Sequence, residues 1–216
     1  MRFRIAALVT ALITVAGVVA GIGFDATSAL AISSSDIICT PPNASPSQCI
    51  NNTAGHATSG NLIQFWQDTP LGLRNNTWEV TLVGTVKSGQ GGVLWPFPDG
   101  SGLNSRYNNN NVYQLKWYVN QNWCASGYNF DLVGEQGPLQ LASCSPGAIN
   151  QYFVFSKYGF LIPVGPSNRL YNAGNGADNP VWLNGEAGGT ANGDLVWMGT
   201  DVGLAWSIQA VIPPNG

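Results

Sequence analysis

One layout of secondary structure occurs three times in this 216-residue sequence: a strand, a polar loop, an apolar strand, a turn and an aromatic strand. The copies cover residues 49–78, 124–153 and 170–206, and Cys49 and Gln64 of the first copy match Cys124 and Gln140 of the second. Units repeated in this way pack around a shared core. We therefore predict pseudo-threefold symmetry, with the ring that ends each copy buried: Trp78, Phe153 and Trp206.

Short apolar runs separated by Gly, Asn and Pro clusters follow residue 31, and no stretch there has the 3.6-residue periodicity of an amphipathic helix. Runs of this length and composition are typical of strands. The sequence thus predicts an all-β protein without helices. The expected strands are 62–67, 77–86, 93–97, 112–119, 139–143, 151–156, 160–164, 194–198 and 205–211.

Four cysteines predict two disulfides, with three possible pairings. Cys39 and Cys49 flank a short Pro-rich loop, whereas Cys124 and Cys144 bracket one strand-loop-strand unit. Asp68 occupies the position of Cys144 in the first copy, so Cys49 has no partner within its own copy. We therefore predict the pairs Cys39–Cys49 and Cys124–Cys144.

The N-terminus has the layout of a secretory signal peptide. Arg2 and Arg4 precede an apolar stretch over residues 5–24, and Ala29-Leu30-Ala31 follows it. Cleavage after Ala31 is predicted, although about 20 apolar residues also suffice for a retained membrane anchor. We expect residues 1–31 to be the signal peptide and residues 32–216 to form a single secreted, extracellular domain.

Charged residues make up only 9% of the chain, against about 25% in an average soluble protein. Loss of Arg2, Arg4 and Asp25 with the signal peptide changes the formal net charge from −3 to −4. This acidity argues against a nucleic-acid partner, which needs clustered Lys and Arg, and no membrane contact is expected after cleavage. The neutral polar side chains suit a neutral polyhydroxylated ligand, but abundant Asn and Gly also serve as turn residues.

The repeats resemble those of the ricin-type β-trefoil lectins, which combine a first-strand Cys, a central Gln-x-Trp strand, a second Cys and a closing Gln-x-Trp. Residues 64–66 read Gln-Phe-Trp, and residues 75–78 (Asn-Asn-Thr-Trp) and 150–153 (Asn-Gln-Tyr-Phe) approximate the closing motif. The resemblance covers residues 47–211. It implies a β-trefoil: a six-stranded barrel capped by three hairpins, here with loop insertions.

The resemblance also implies a sugar site, because in these lectins a sugar ring stacks on an aromatic side chain while an Asp and polar residues near the closing motif bind its hydroxyls. On the first copy these positions fall on Asn51, Gln64, Trp66, Asn75 and Asn76. Asn51 replaces the Asp, and a neutral amide is a weaker acceptor than a carboxylate. Trp66 is either this stacking ring or ordinary core packing.

The other two copies match the sugar site less well. The second has Ser126 at the Asp position and Ala142 at the aromatic position, and the third has Asn172 at the Asp position but no clear polar pattern over residues 196–198. We therefore expect a glycan or polysaccharide partner bound by the first copy.

Residues 87–111 and 175–192 extend beyond the compact repeat and carry Trp95 and Trp182. Insertions of this kind either shape a binding surface or decorate a fold. The alternative function is therefore a trefoil scaffold that binds a protein, as an inhibitor or adhesion factor, through these two insertions.

No catalytic residue, metal or cofactor is expected. His56 lies in a small polar loop without a second His or an unpaired Cys. The close acid pairs, including Asp131 with Glu135, match no motif, although a degenerate hydrolase would need two carboxylates facing each other across a cleft.

Overall fold

A computed structural model describes residues 35–39, 48–67, 73–86, 102–174, 180–186, 190–201 and 203–210. These residues contain three helices: α1 (Leu73–Asn76), α2 (Gly102–Arg106) and α3 (Val164–Asn172). They also contain these strands: β1 (Ser35–Cys39), β2 (Gln48–Asn52), β3 (Ile63–Gln67), β4 (Thr77–Thr85), β5 (Asn111–Trp117), β6 (Trp123–Ser126), β7 (Gln136–Pro138), β8 (Gln140–Ser143), β9 (Tyr152–Phe155), β10 (Leu161–Pro163), β11 (Trp182–Gly185), β12 (Val196–Gly199) and β13 (Ser207–Ala210).

Six strands close a barrel: β1, β4, β5, β9, β10 and β13. Around the wall, β1 pairs with β4, β4 with β5, β5 with β9 and β9 with β10, all antiparallel. A bridge between Phe160 and Ala205 links the edge at β10 to the residues before β13, and β13 pairs with β1. Every barrel strand thus has a neighbour on both sides, which removes the exposed edges that promote aggregation.

Three hairpins cap the barrel: β2–β3, β6–β8 and β11–β12. Their second strands meet at one junction, where β7 also pairs with β12. Main-chain bonds join the three hairpins there: Ile63 N to Leu139 O (3.0 Å), Leu139 N to Val196 O (2.8 Å) and Phe65 N to Asp194 O (2.7 Å). A six-stranded barrel with three hairpins in this arrangement is a β-trefoil, and the predicted fold class is confirmed.

The rings that end the three repeats lie in one apolar core cluster. Trp78 and Phe153 are completely buried, and Trp206 is nearly so, as expected from the sequence. The indole N–H of Trp78 donates to the carbonyl of Ile50 at 3.0 Å, and that of Trp206 donates to the carbonyl of Leu183 at 3.3 Å. Ile50 lies in β2 and Leu183 in β11, so these two indoles tie the first and third hairpins to the barrel.

Both predicted disulfides are confirmed: Cys39–Cys49 joins β1 to β2, and Cys124–Cys144 ties β6 to the residue after β8. Each predicted strand in the described residues overlaps an observed one, with ends shifted by at most two residues. The predicted strand 93–97, with Trp95, and the signal segment 1–31 lie outside the described residues. The sequence patterns do not predict β1, β7 and β11.

The expectation that no helix follows residue 31 is wrong, because α3 spans Val164–Asn172. Its sequence is poor in helix formers, and Pro166 is tolerated only because it lies in the first turn. The Ser167 hydroxyl donates to the Pro163 carbonyl at 2.8 Å and accepts from the Val181 amide at 3.0 Å. Tertiary contacts therefore stabilise this helix against a weak local preference.

The predicted start of the third repeat, residues 170–172, is also wrong. Asn172 lies at the end of α3, and the first strand of the third hairpin is β11, where Asn184 takes the position expected for Asn172. Part of the proposed insertion 175–192 is consequently hairpin strand. Trp182, at the start of β11, is half-buried against Phe160.

Candidate functional site

The outer face of the first hairpin brings three of the predicted site residues together. Side chains alternate along a strand, so the core-facing Ile50 and Phe65 leave their neighbours on the opposite face. Asn51 is paired in register with Gln64, and Cys49 is paired with Trp66. The Trp66 side chain is 38% exposed, which favours the interpretation as a surface ring over core packing.

Asn76 supports this face from beneath. Asn51 Nδ2 donates to Asn76 Oδ1, and Asn76 Nδ2 donates to the Gln67 carbonyl at 3.3 Å. Gln64 Nε2 lies 3.4 Å from Asn51 Oδ1, at the long end for a hydrogen bond. Asn51 and Asn76 are both buried, so their amides mainly satisfy each other and the main chain.

Asn75 lies in α1 and packs on the turn that follows β2. A Cβ atom built on Gly55 would lie 2.8 Å from Asn75 Oδ1, and Gly55 has a φ of +67°. Only glycine fits there, because any other residue would combine an unfavourable backbone conformation with a clash. The turn therefore holds the half-buried Asn75 beside the first hairpin.

The second hairpin carries a cavity of about 290 Å³ at the equivalent place. The strand registers match Asn51 with Ser126, Gln64 with Gln140 and Trp66 with Ala142. These second-hairpin residues line the cavity together with Ser59, from the loop between β2 and β3, and with residues of neighbouring segments: Ser126, Tyr128, Gln140, Ala142, Ala148, Asn150 and Gln151. The small Ala142 stands where the first hairpin has the large Trp66 ring, which is why the second hairpin is concave.

The hydrogen bonding beneath this cavity repeats that of the first hairpin. Gln151 Nε2 donates to the Ser143 carbonyl at 2.7 Å, just as Asn76 Nδ2 donates to the Gln67 carbonyl. Ser143 and Gln67 occupy equivalent strand positions. The amide in the closing motif is thus a supporting residue in both repeats.

Tyr128 supplies an aromatic ring to the second cavity and is 65% exposed. The loop that carries it is anchored from α3, because Arg169 donates to the Gly127 carbonyl at 2.6 Å and to the Phe130 carbonyl at 3.3 Å. Burial lowers the pKa of Arg169 from its ordinary value, and the Tyr128 phenol acts in the opposite direction. Tyr128 is not among the site residues expected from the sequence; its position two residues after Ser126, in the loop leaving the first hairpin strand, was the available signal.

The third hairpin presents Asn184 at the position equivalent to Asn51. Asn184 Oδ1 accepts from the Leu204 amide at 3.0 Å, and the bulky Trp197 lies opposite Asn184 in the register. Trp197 Nε1 lies 3.3 Å from Gln136 Oε1. Asn184, the third-repeat equivalent of Asn51, is therefore held by contacts within the protein.

Solved structures share this fold at low sequence identity. A designed threefold-symmetric protein, ThreeFoil, matches with a TM-score of 0.54 and 14% identity, over 82% of this chain and 99% of its own. A mosquitocidal holotoxin matches with a TM-score of 0.51 and 14% identity, over 83% of this chain but only 18% of its own. The class defined by these matches and by the architecture is the β-trefoil protein.

A non-toxic homologue of type II RIPs from Momordica charantia (bitter gourd), solved in complex with α-methyl-D-galactoside, matches with a TM-score of 0.42 and 15% identity. That match covers 81% of this chain and 48% of the homologue. No protein-family model and no curated protein matches the sequence. In the described part of the chain, none of the helices is long and apolar enough to cross a membrane.

Proposed function

We propose that the protein is a secreted, non-catalytic β-trefoil that binds neutral carbohydrate on its hairpins. The observation that carries this proposal is the second-hairpin cavity, where the exposed Tyr128 ring lies among the polar side chains of Ser126, Gln140 and Asn150. A pyranose has an apolar C–H face, which an aromatic ring covers, and a rim of hydroxyls that needs fixed donors and acceptors. The volume of about 290 Å³ suits one sugar residue at the end or edge of a glycan.

The first hairpin provides the second proposed site, on the residues expected from the sequence. The Trp66 ring covers the sugar face, while Gln64 and Asn75 face the hydroxyls. The buried Asn51 lies beneath Gln64, and Asn76 holds Asn51 through a hydrogen bond between their side-chain amides, so both are positioning residues in this proposal. None of the five side chains carries a charge, which favours a neutral sugar over an acidic one.

Secretion is supported by the two disulfides, since such bonds persist in oxidising compartments outside the cytosol. The predicted cleavage after Ala31 fits the same location. The aqueous extracellular environment also suits a neutral polar binding surface, because water can satisfy its hydrogen-bonding groups until a sugar replaces that water.

The experiment is a glycan array on the chain from residue 32 onward, followed by titration calorimetry with the best ligand. Variants Tyr128→Ala and Trp66→Ala test the two hairpins separately, and Tyr118→Ala, which removes another exposed tyrosine, is the matched control. Loss of a stacking ring costs about 1–3 kcal/mol, so binding at the affected hairpin should weaken about fivefold or more.

A blank array from correctly folded protein would refute carbohydrate binding. Equal affinity of wild type, Tyr128→Ala and Trp66→Ala for an array-positive glycan would place binding elsewhere and refute both proposed sites. If Trp66→Ala alone weakens binding, the site is the one expected from the sequence, and the second-hairpin cavity is not a sugar site.

A further inference from the structure

A second cavity, of about 240 Å³, lies on the barrel side of the molecule, away from the outer hairpin faces. It opens between α2 and the tight turn joining β9 to β10, and Trp182 of β11 also lines it. None of the proposed sugar-site residues contributes to its lining. The cavity is therefore independent of the proposed carbohydrate sites.

The interior of this cavity is aromatic. Phe160 and Trp182 meet edge to face, with ring centroids 5.0 Å apart, and the buried Tyr107 ring lines another wall. Dry apolar cavities of roughly 150 Å³ accept a benzene ring, so the present volume accommodates one or two fused rings with a small substituent. Most of the cavity surface is apolar, which suits an aromatic ring better than the hydroxyls of a sugar.

Two cations, Arg106 and Lys157, line the same cavity. Lys157 Nζ lies 4.9 Å from the centroid of the Tyr158 ring, and no carboxylate of the described residues lies within ion-pair distance of it. Arg106 interacts with the Tyr107 hydroxyl, whose pKa is raised by burial and lowered to a smaller extent by that guanidinium. Tyr107 consequently remains a neutral phenol at physiological pH and brings no negative charge into the cavity.

The turn that presents Lys157 and Tyr158 is held in place before any ligand arrives. The Ser156 hydroxyl accepts from the Tyr158 amide at 3.3 Å and from the Phe160 amide at 3.0 Å. Gly159 has a φ of +84°, and its carbonyl accepts from the Trp206 amide at 2.7 Å. A preorganised turn loses little further conformational freedom when a ligand binds.

We propose that this cavity binds a small aromatic monocarboxylate. The ring packs among Tyr107, Phe160 and Trp182, and the carboxylate faces the Lys157 ammonium. An aromatic body matches the apolar walls, and a single anionic group matches Lys157, which has no carboxylate within ion-pair distance among the described residues. Inorganic phosphate or sulfate would leave the aromatic walls without a partner.

The test is titration calorimetry with 2-naphthoate, compared with neutral 2-naphthamide and with acetate, which has no ring. Naphthoate should bind, naphthamide about tenfold more weakly because the charge-assisted bonds are lost, and acetate not measurably. Lys157→Met should weaken naphthoate binding about threefold to tenfold, whereas Lys157→Arg should retain it within about twofold.

Two control variants test whether a change in naphthoate binding is specific to this cavity. Arg74→Met removes an exposed cation outside the cavity, and Tyr128→Ala alters only the proposed sugar site; both should bind naphthoate as wild type does. The proposal is overturned if naphthoate does not bind, if naphthamide binds as tightly, or if Lys157→Met and wild type bind equally. Because Tyr128→Ala is measured with both ligands, failure of sugar binding and failure of naphthoate binding remain distinguishable.

Discussion

Replacement of Trp78 by Phe should destabilise the protein through one identifiable main-chain group. Phe65 opposes Ile50 in the hairpin register, yet the amide and carbonyl of Phe65 bond to Asp194 and Gly193. The Ile50 carbonyl therefore receives no hydrogen bond from β3 and depends on the Trp78 indole at 3.0 Å. Without the indole N–H, this carbonyl is buried and unpaired.

The expected cost of Trp78→Phe has two parts. An unpaired buried carbonyl costs about 1–3 kcal/mol, and the smaller ring loses about 1 kcal/mol of apolar burial. The free energy of unfolding should thus fall by about 2–4 kcal/mol, which corresponds to a Tm lower by roughly 5–15 °C in a domain of this size. Phe153, the natural counterpart in the second repeat, shows that the position itself accepts a phenylalanine.

Urea unfolding with intact disulfides, followed by far-ultraviolet circular dichroism, measures this cost without relying on tryptophan fluorescence. Trp66→Phe is the matched control, because the same substitution at an exposed ring should cost less than about 0.5 kcal/mol. Trp206→Phe should cost somewhat less than Trp78→Phe, since its bond to Leu183 is longer, at 3.3 Å. A loss below about 1 kcal/mol for Trp78→Phe would refute the dependence of the Ile50 carbonyl on the indole.

Two further substitutions test local features of the binding face. Gly55→Ala should lower the free energy of unfolding in urea by about 1–3 kcal/mol, because the φ of +67° and the contact with Asn75 both oppose a side chain. The control Gly147→Ala has a φ of +79° but open space around it, so it should cost only about 1 kcal/mol. Equal costs for the two variants would contradict the clash with Asn75. Arg169→Met removes the bonds that anchor the Tyr128 loop, so it should lower Tm and weaken glycan binding at the second hairpin; unchanged affinity in calorimetry would contradict this anchoring role.

The strands, disulfides and closing rings were predictable because each depends on short-range pattern. Alternating apolar residues between turn residues mark a strand wherever it packs, and the spacing of Cys124 and Cys144 within one hairpin limits their partners. Trp78, Phe153 and Trp206 recur at one place in the repeat, so their burial follows from the repetition itself.

The geometry of the binding sites could be predicted only in part from the sequence. Asn51, Gln64 and Trp66 do share the outer face of the first hairpin, as the alternation of its strands requires. Asn76, however, is a buried support, and the concave surface lies on the second hairpin, where Ala142 leaves space and Tyr128 enters from a loop. A residue's identity does not reveal how much room its neighbours leave.

The repeating pattern of strands and rings by itself predicted three all-β units around a shared core, because a hydrophobic period and its turn residues act locally and recur in each copy; the resemblance to the ricin-type lectins then implied a β-trefoil. Only the tertiary structure decided that residues 164–172 form a helix, that β11 opens the third hairpin and where the two cavities described above lie. Those features depend on contacts between distant segments, such as Ser167 with Val181 and Arg169 with Gly127, whose energies outweigh the weak local preferences of the residues involved.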